Sequence, residues 1–235
     1  MDSNQDYNKW GQILNRSTRE KYIKYPSTLY FSFSPDNDTS EYFDSKYFID
    51  CPVIITIKMD GSNVSLTREK ISARNGDSAF HPSFDMLKSL HSVIKHSIPD
   101  NIQIFGEWLY ARHSIHYKDH ISLEDYLQVF AVYDTNTREF LDWKSTQEIA
   151  TMIGCITVPV ICYNEIFNKQ IMFITEVSSI AEELINQGHE GIVVRSCFSF
   201  HYGEFSKRIA KVVRPNHVQT SKHWSAQQII KNAKL

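Results

Sequence analysis

The sequence predicts an α+β fold in a single domain spanning residues 1–235, with antiparallel sheets flanked by helices. Three observations carry that expectation. Short apolar, β-branched runs are separated by turn residues rather than by crossover helices, which is how antiparallel strands read. Apolar residues at helical spacing fall in stretches of their own. No internal repeat, low-complexity segment or linker rich in Gly, Ser or Pro divides the chain. At 27.4 kDa it is long enough to bury one large core or two modest ones.

Taken in order, residues 1–50 are aromatic and polar and read as irregular structure, with a short helix before Tyr25 and a turn-rich Ser34-Pro35-Asp36-Asn37-Asp38. Strands are expected at Val53–Ile57, Asn63–Thr67 and Ile71–Arg74, the last ending at Asn75-Gly76-Asp77. Phe84, Leu87, Leu90, Val93 and Ile94 recur at helical spacing, and Pro99-Asp100 stops that helix. Ile102–Leu109 and Leu127–Tyr133 are strand-like and flank a long polar, His-rich loop. Helices are expected at Ser145–Ile153 and Glu176–Gln187, the second closed by Gly188. Gly191–Arg195 and Ile209–Val213 read as short strands, and Ser221–Asn232 as a terminal helix.

Composition narrows the function classes. No run of about 18 apolar residues exists, and Met-Asp-Ser-Asn-Gln-Asp at the start lacks the basic-then-apolar order of a signal peptide. A soluble, cytoplasmic protein with no membrane partner is expected. Cys51, Cys155, Cys162 and Cys197 form no Cys-x-x-Cys pair, which argues against a zinc knuckle and fits reduced thiols. The net charge is −2, yet from His201 onward seven Lys or Arg (Lys207, Arg208, Lys211, Arg214, Lys222, Lys231, Lys234) face the single acid Glu204. Such a segment suits phosphate contact, with Lys207, Arg208 and Arg214 as candidates, and equally suits a solvated basic tail.

Chemistry concentrates at Ile54-Ile55-Thr56-Ile57-Lys58-Met59-Asp60-Gly61-Ser62-Asn63. An apolar run delivers one lysine to a turn carrying a carboxylate and a glycine, so Lys58 is placed where a buried strand opens into a pocket. The same stretch fits a solvated lysine beside a hairpin turn. Glu107, in Ile104-Phe105-Gly106-Glu107-Trp108-Leu109, and Glu190, before Gly191-Ile192-Val193-Val194-Arg195, are carboxylates set against apolar strands. A buried carboxylate requires a donor, a metal or a ligand hydroxyl. Either alone reads as a structural ion pair; both together with Lys58 read as a ligand pocket. His113, His116 and His120 share one loop without a completing cysteine, so solvated or ligand-contacting residues fit better than zinc ligands. Arg112, Arg195 and Arg214 fit phosphate contact and structural ion pairs equally well.

The ordered set Lys58-Met59-Asp60-Gly61, Phe105-Gly106-Glu107-Trp108, Val129-Phe130-Ala131-Val132-Tyr133-Asp134, Glu190-Gly191-Ile192-Val193-Val194 and Ile209-Ala210-Lys211 resembles motifs I, III, IIIa, IV and V of the covalent nucleotidyltransferases. These are the polynucleotide ligases and mRNA capping enzymes. Asn63, the stretch Gly106–Ile115 and His217-Val218-Gln219-Thr220 with His223-Trp224 look like ATP-dependent RNA ligases, in the group related to the phage RNA ligase that seals nicks in duplex RNA. The resemblance spans residues 24 to 224.

It implies an ATP-grasp-like ligase domain that joins RNA 5′-phosphate and 3′-hydroxyl ends through a lysyl-adenylate and an adenylated RNA end. ATP donates the AMP, and Mg²⁺ or Mn²⁺ is the cofactor. Lys58 would be the nucleophile. The nucleotide-binding set would be Ile57, Lys58, Asp60, Asn63, Arg74, Glu107, Phe130, Glu190 and Lys211. Within it Asp60 and Glu190 would serve the metal or its waters, Glu107 the ribose, Phe130 the adenine face and Lys211 the α-phosphate. Arg74, in Ser72-Ala73-Arg74-Asn75-Gly76, matches the motif Ia arginine, and Asn63 would lie beside the adenylated phosphate. A lysine with an ordinary pKa is neutral in roughly one molecule in 2,500 at pH 7, so the amine needs help to attack, which a cation supplies and a bare Asp60 opposes.

One position departs from the pattern. Motif V of many ligases has two lysines one residue apart; Ile209 holds the first place and only Lys211 remains, with Lys207 close enough in sequence to reach in. No second domain for nucleic-acid grip is recognised, which suggests a minimal ligase or one recruited by a protein partner. The competing readings are a DNA-nick ligase or a capping-type guanylyltransferase, and, from another class, a non-catalytic module that binds RNA ends or a nucleotide.

Overall fold

The structure, a computed structural model, describes residues 22–36, 39–74, 79–117, 123–215 and 229–234. The expected turn at Asn75-Gly76-Asp77, His120, the segment before Tyr22 and the motif at His217–Trp224 lie outside these residues. In chain order the strands are β1 (Leu29–Phe31), β2 (Tyr42–Phe43), β3 (Val53–Ile57), β4 (Ser62–Leu66), β5 (Ile71–Ala73), β6 (Ile102–Trp108), β7 (Leu127–Asp134), β8 (Glu139–Phe140), β9 (Ile156–Thr157), β10 (Val160–Glu165), β11 (Gly191–Ser196), β12 (Phe200–His201) and β13 (Ile209–Val213). The helices are α1 (Asp85–Ile94), α2 (Trp143–Met152), α3 (Gln170–Asn186) and α4 (Phe205–Arg208).

Two sheets result. One runs β10-β3-β11-β13-β1-β2 and the other β12-β8-β7-β6-β4-β5, with β9 beside β7. Pairing is mostly antiparallel, as expected. The exceptions are β1, which is parallel to both β13 and β2, and β9, which is parallel to β7. Helix α3 lies on one face of the first sheet through Phe173, Val177, Ala181 and Leu184, which meet Ile55, Ile192, Val194 and Val212. Helix α1 presents Leu87 and Ile94 to Val64, Leu66 and Ile104 of the second sheet. Between the sheets an aromatic cluster of Phe105, Tyr133, Phe140, Phe200 and Phe205 takes in Ile209, with Tyr25, Phe130 and Val193 packed on it.

The main strands fall where the residues predict them, because long β-branched runs bury on at least one face. Residues 22–50 differ: they hold β1, β2 and a 3-10 turn at Ser45–Phe48 capped by Asp44, whose side chain accepts the Lys46 amide at 3.0 Å. Strands of two or three residues are too short to show alternation. Helix α2 starts at Trp143, not Ser145, because Asp142 caps it and accepts the Ser145 amide at 2.9 Å. Helix α3 starts at Gln170, not Glu176, since Phe173 extends the buried stripe one turn back from Val177. Strand β10 is absent from the sequence reading; at the sheet edge it leaves Ile161 and Tyr163 exposed, which hides the apolar signal. The described end of the expected terminal helix is extended: Lys231 bridges to Ala111, and Asn232 is held by Leu109, Tyr110 and Tyr126.

Candidate active site

Lys58-Met59-Asp60-Gly61 connects β3 of the first sheet to β4 of the second. The hairpin alternative fails for that reason: β3 and β4 do not pair, and the lysine sits where the chain crosses between sheets. The Lys58 backbone amide donates to the Gly191 carbonyl at 2.9 Å, continuing the β3–β11 ladder one residue past Ile57↔Ile192. Its Nζ lies 2.7 Å from Glu190 Oε2, in a pair whose side chains are 25% and 5% exposed. Gly191 has φ +151°, and a Cβ there would lie 2.0 Å from the Val212 carbonyl oxygen. Only glycine lets β11 pack this closely on β13 and so carry Glu190 to Lys58.

The next residues lock the turn. The Asp60 amide donates to Tyr117 Oη at 2.7 Å, and Asp60 Oδ2 accepts the Ile115 amide at 2.6 Å. The Gly61 amide donates to Glu107 Oε1 at 3.0 Å, and a Cβ on Gly61 would meet the Trp108 carbonyl oxygen at 2.6 Å. Asn63 is directly across from Glu107 on β6, so the two side chains share a face. Arg74 follows Ala73, whose partner Val64 neighbours Asn63. The second sheet thus brings Asn63, Glu107 and Arg74 together.

The first sheet contributes a matching row: Thr56, Val193, Lys211 and Tyr30 stand in direct register across β3, β11, β13 and β1. Lys58 lies two residues beyond Thr56, on the same face. Phe130 is half-buried, its ring edge-on to Tyr25 at 5.0 Å between centroids. Its carbonyl accepts from Arg195 Nη1. Ile57 lines the same region between the two larger cores, its amide bonded to Pro159 O at 3.0 Å.

The charges are strongly coupled. Burial alone would lower the Lys58 pKa, but Glu190, Glu107 and Asp60 outweigh it and hold the amine above its usual value. Glu107 is pushed up to about 8, chiefly by burial and then by Glu190 and Asp60, against the pull of Lys58 and the Gly61 amide. Lys211 is lowered to about 8 by burial and by the neighbouring Lys58 and Arg74, with Glu190 and Asp36 opposing. A pocket holding both cations and carboxylates, each costly to leave unpaired, suits an anionic ligand with attached hydroxyls.

Among the described residues no group of three or more His, Cys, Asp or Glu could cage a metal ion. Asp60 has one oxygen committed to Ile115, and Glu190 one to Lys58. This donor set fits a hydrated Mg²⁺ or Mn²⁺ that takes one or two carboxylates and completes its shell with water and phosphate oxygens. His113 Nε2 is 3.3 Å from Ser62 Oγ.

The remaining basic residues fall outside the row that holds Lys211. Lys207 Nζ lies 5.8 Å from the centre of the Tyr47 ring. Ile209 is fully buried in the aromatic cluster, where a charge would be costly. Arg208 pairs with Glu204 at 3.5 Å, and Arg214 gives its amide to the Glu190 carbonyl at 2.9 Å. Arg195 is buried, makes no ion pair among the described residues, and has its guanidinium 5.3 Å from the Trp143 ring centre. The sequence alone gives no site role to Tyr25, Tyr30 or Tyr117. The first two stand in a short-stranded aromatic segment and the third in a polar loop, so only contacts across the chain reveal them.

The architecture is that of the nucleotidyltransferase domain of polynucleotide ligases. The chain belongs to the RNA ligase family, whose model matches residues 51–213. Its structure is similar to an archaeal ATP-dependent RNA ligase (16% identity, TM-score 0.54), covering 81% of this chain and 48% of that one. It is similar to the Naegleria gruberi RNA ligase with PPi (13%, TM-score 0.53), with 84% and 57% covered. A putative ATP-dependent DNA ligase from Aquifex aeolicus also matches (15%, TM-score 0.56), with 87% and 57% covered. The chain therefore spans roughly half the length of these proteins. No curated protein sequence matches it significantly.

Proposed function

We propose that the chain is the adenylyltransferase domain of an ATP-dependent RNA ligase, with Lys58 as its nucleophile. The observation that carries the reading is the crossover lysine, 2.7 Å from Glu190 and within electrostatic reach of Glu107, Asp60 and Lys211. Lys58 Nζ would attack the α-phosphorus of ATP. An N–P bond forms, the P–O bond to pyrophosphate breaks, and the amine gives up its proton. The lysyl-adenylate then passes AMP to an RNA 5′-phosphate, and a 3′-hydroxyl displaces AMP to seal the strand.

The remaining roles follow from position. Glu107, half-buried and with its carboxyl pushed up to about 8, is suited to exchange hydrogen bonds with ribose hydroxyls. Phe130 offers a half-buried ring for adenine, and Ile57, at the end of β3, would line the nucleotide site next to Lys58. Lys211 stabilises charge developing at the α-phosphate, with Arg74 beside it for phosphates or RNA and Asn63 near the adenylated phosphate. Asp60 and Glu190 would hold Mg²⁺ or Mn²⁺ through water, and the ion would neutralise phosphate charge and offset the carboxylates that keep Lys58 protonated. A variant of the Naegleria gruberi enzyme has been solved with ATP and Mn. Lys207 is exposed and available to RNA; Arg208 and Arg214 contribute less because their side chains are half-buried. Further RNA grip would come from another domain or a protein partner. Free cysteines and no membrane-spanning helix among the described residues fit a soluble, cytoplasmic setting.

The decisive experiment incubates the protein with Mg²⁺ and α-labelled ATP. A covalent adduct that Lys58→Ala abolishes supports the reading; reversible nucleotide binding without an adduct favours a non-catalytic module. The likeness to the Aquifex aeolicus DNA ligase supports a second reading, sealing of DNA nicks, which parallel assays on nicked RNA and DNA separate.

A further inference from the structure

Ile209 stands where the family pattern has a lysine, and it is enclosed by Phe105, Phe140 and Phe205. The cationic side of the pocket is therefore left to Lys211, which is itself crowded by Lys58 and Arg74. Like charges at close range push a flexible ammonium toward water. Glu190 and Asp36 pull the other way, but a carboxylate paired directly with the ammonium would cancel the charge that a phosphate needs.

The neighbouring strand supplies an uncharged alternative. Tyr30 of β1 pairs directly with Lys211 of β13, and Lys211 Nζ lies 3.9 Å from the centre of the Tyr30 ring. Both are half-buried. The face of an aromatic ring attracts a cation through its quadrupole, more strongly where water is thinned out. The Tyr30 hydroxyl also feels Asp36, Lys58, Glu190 and Arg74, which places the side chain among the charges of the site. Tyr30 lies outside residues 51–213, the part of the chain that the family shares.

We propose that Tyr30 is a positioning residue for the nucleotidyl transfer: its ring face holds the Lys211 ammonium on the Lys58 side of the sheet, in place of the second cation that Ile209 lacks. This inference rests on the adenylation reading above. It assigns no contact between Tyr30 and the nucleotide; Tyr30 acts through Lys211.

The test measures the rate of adduct formation at saturating ATP and Mg²⁺, with unmodified protein as the control. An unmodified chain that forms no adduct overturns the adenylation reading, and this inference with it. If it does form one, Tyr30→Phe should stay within about twofold, since the ring face is kept, and Tyr30→Leu should be slower by about tenfold. Progressively fluorinated phenylalanines at position 30, which keep shape while draining charge from the ring face, should slow the reaction stepwise. In a Lys211→Ala background, Tyr30→Leu should add no further loss, because the two residues act as one unit. Equal rates for Tyr30→Leu and the unmodified protein, a flat fluorination series, or losses that add to those of Lys211→Ala would overturn the proposal.

Discussion

Glu190 Oε2 sits 2.7 Å from Lys58 Nζ and holds the amine in its charged form. The same contact that places the proposed nucleophile also keeps its lone pair protonated. Glu190→Gln should therefore lower the pKa of Lys58, read from the pH dependence of its labelling by an amine-reactive reagent. It should nonetheless slow adenylate formation, by on the order of 100-fold, because a charge aimed at the reacting centre is lost. A faster enzyme would show that Glu190 only restrains Lys58.

The turn at Asp60 predicts a stability effect away from the chemistry. Tyr117 Oη accepts the Asp60 amide, so Tyr117→Phe leaves a poorly solvated N–H without a partner. The expected loss is about 1–3 kcal/mol, measured as a lower denaturant midpoint at unchanged slope. An unchanged midpoint would mean that water replaces the hydroxyl.

Glu107 gives the pH dependence a definite sign. Its folded pKa of about 8 lies above the ordinary 4.5, so between those values the folded chain keeps a proton that the unfolded chain has released. Raising the pH through this window costs stability. Glu107→Gln should flatten the fall in melting temperature from about pH 4.5 to about pH 8. Curves that stay parallel between unmodified and variant protein would contradict the raised pKa.

The extended tail predicts long-range support for the site. Asn232 Nδ2 donates to the Leu109 carbonyl at 2.8 Å, just past the strand that carries Glu107. Asn232→Ala leaves that buried carbonyl unpaired and should cost about 1–3 kcal/mol. It should also raise the KM for ATP in the adduct assay, and an unaltered KM would confine the tail to a structural role.

Much of this was legible in the residues because the ordered motifs lie on long apolar strands, whose burial enforces register. Lys58, Glu107 and Glu190 could be picked out as polar residues beside such runs, and Lys211 through the resemblance of Ile209-Ala210-Lys211 to motif V. What stayed hidden depends on partners remote in sequence. Tyr30 meets Lys211 only because β1 joins β13 in parallel, a pairing that a three-residue strand does not announce. Arg195 is an ordinary strand-end arginine until Phe130 and Trp143 enclose it. Lys207 is near Lys211 in sequence, yet the single turn of α4 sets its Nζ 5.8 Å from the centre of the Tyr47 ring, which sequence proximity does not show.

The crossing of the chain between two sheets at Lys58–Gly61 makes the width of the gap a chemical variable. Lys58, Glu190 and Lys211 are carried by one wall, Asn63, Glu107 and Phe130 by the other, and the aromatic rings around Tyr25, Phe105 and Phe140 act as the spacer. If Lys58 attacks a nucleotide held by the opposite wall, as proposed, trimming such a ring changes the reach of the amine toward it. Substitutions there would tune turnover as a shim tunes a bearing, without touching a single reacting group.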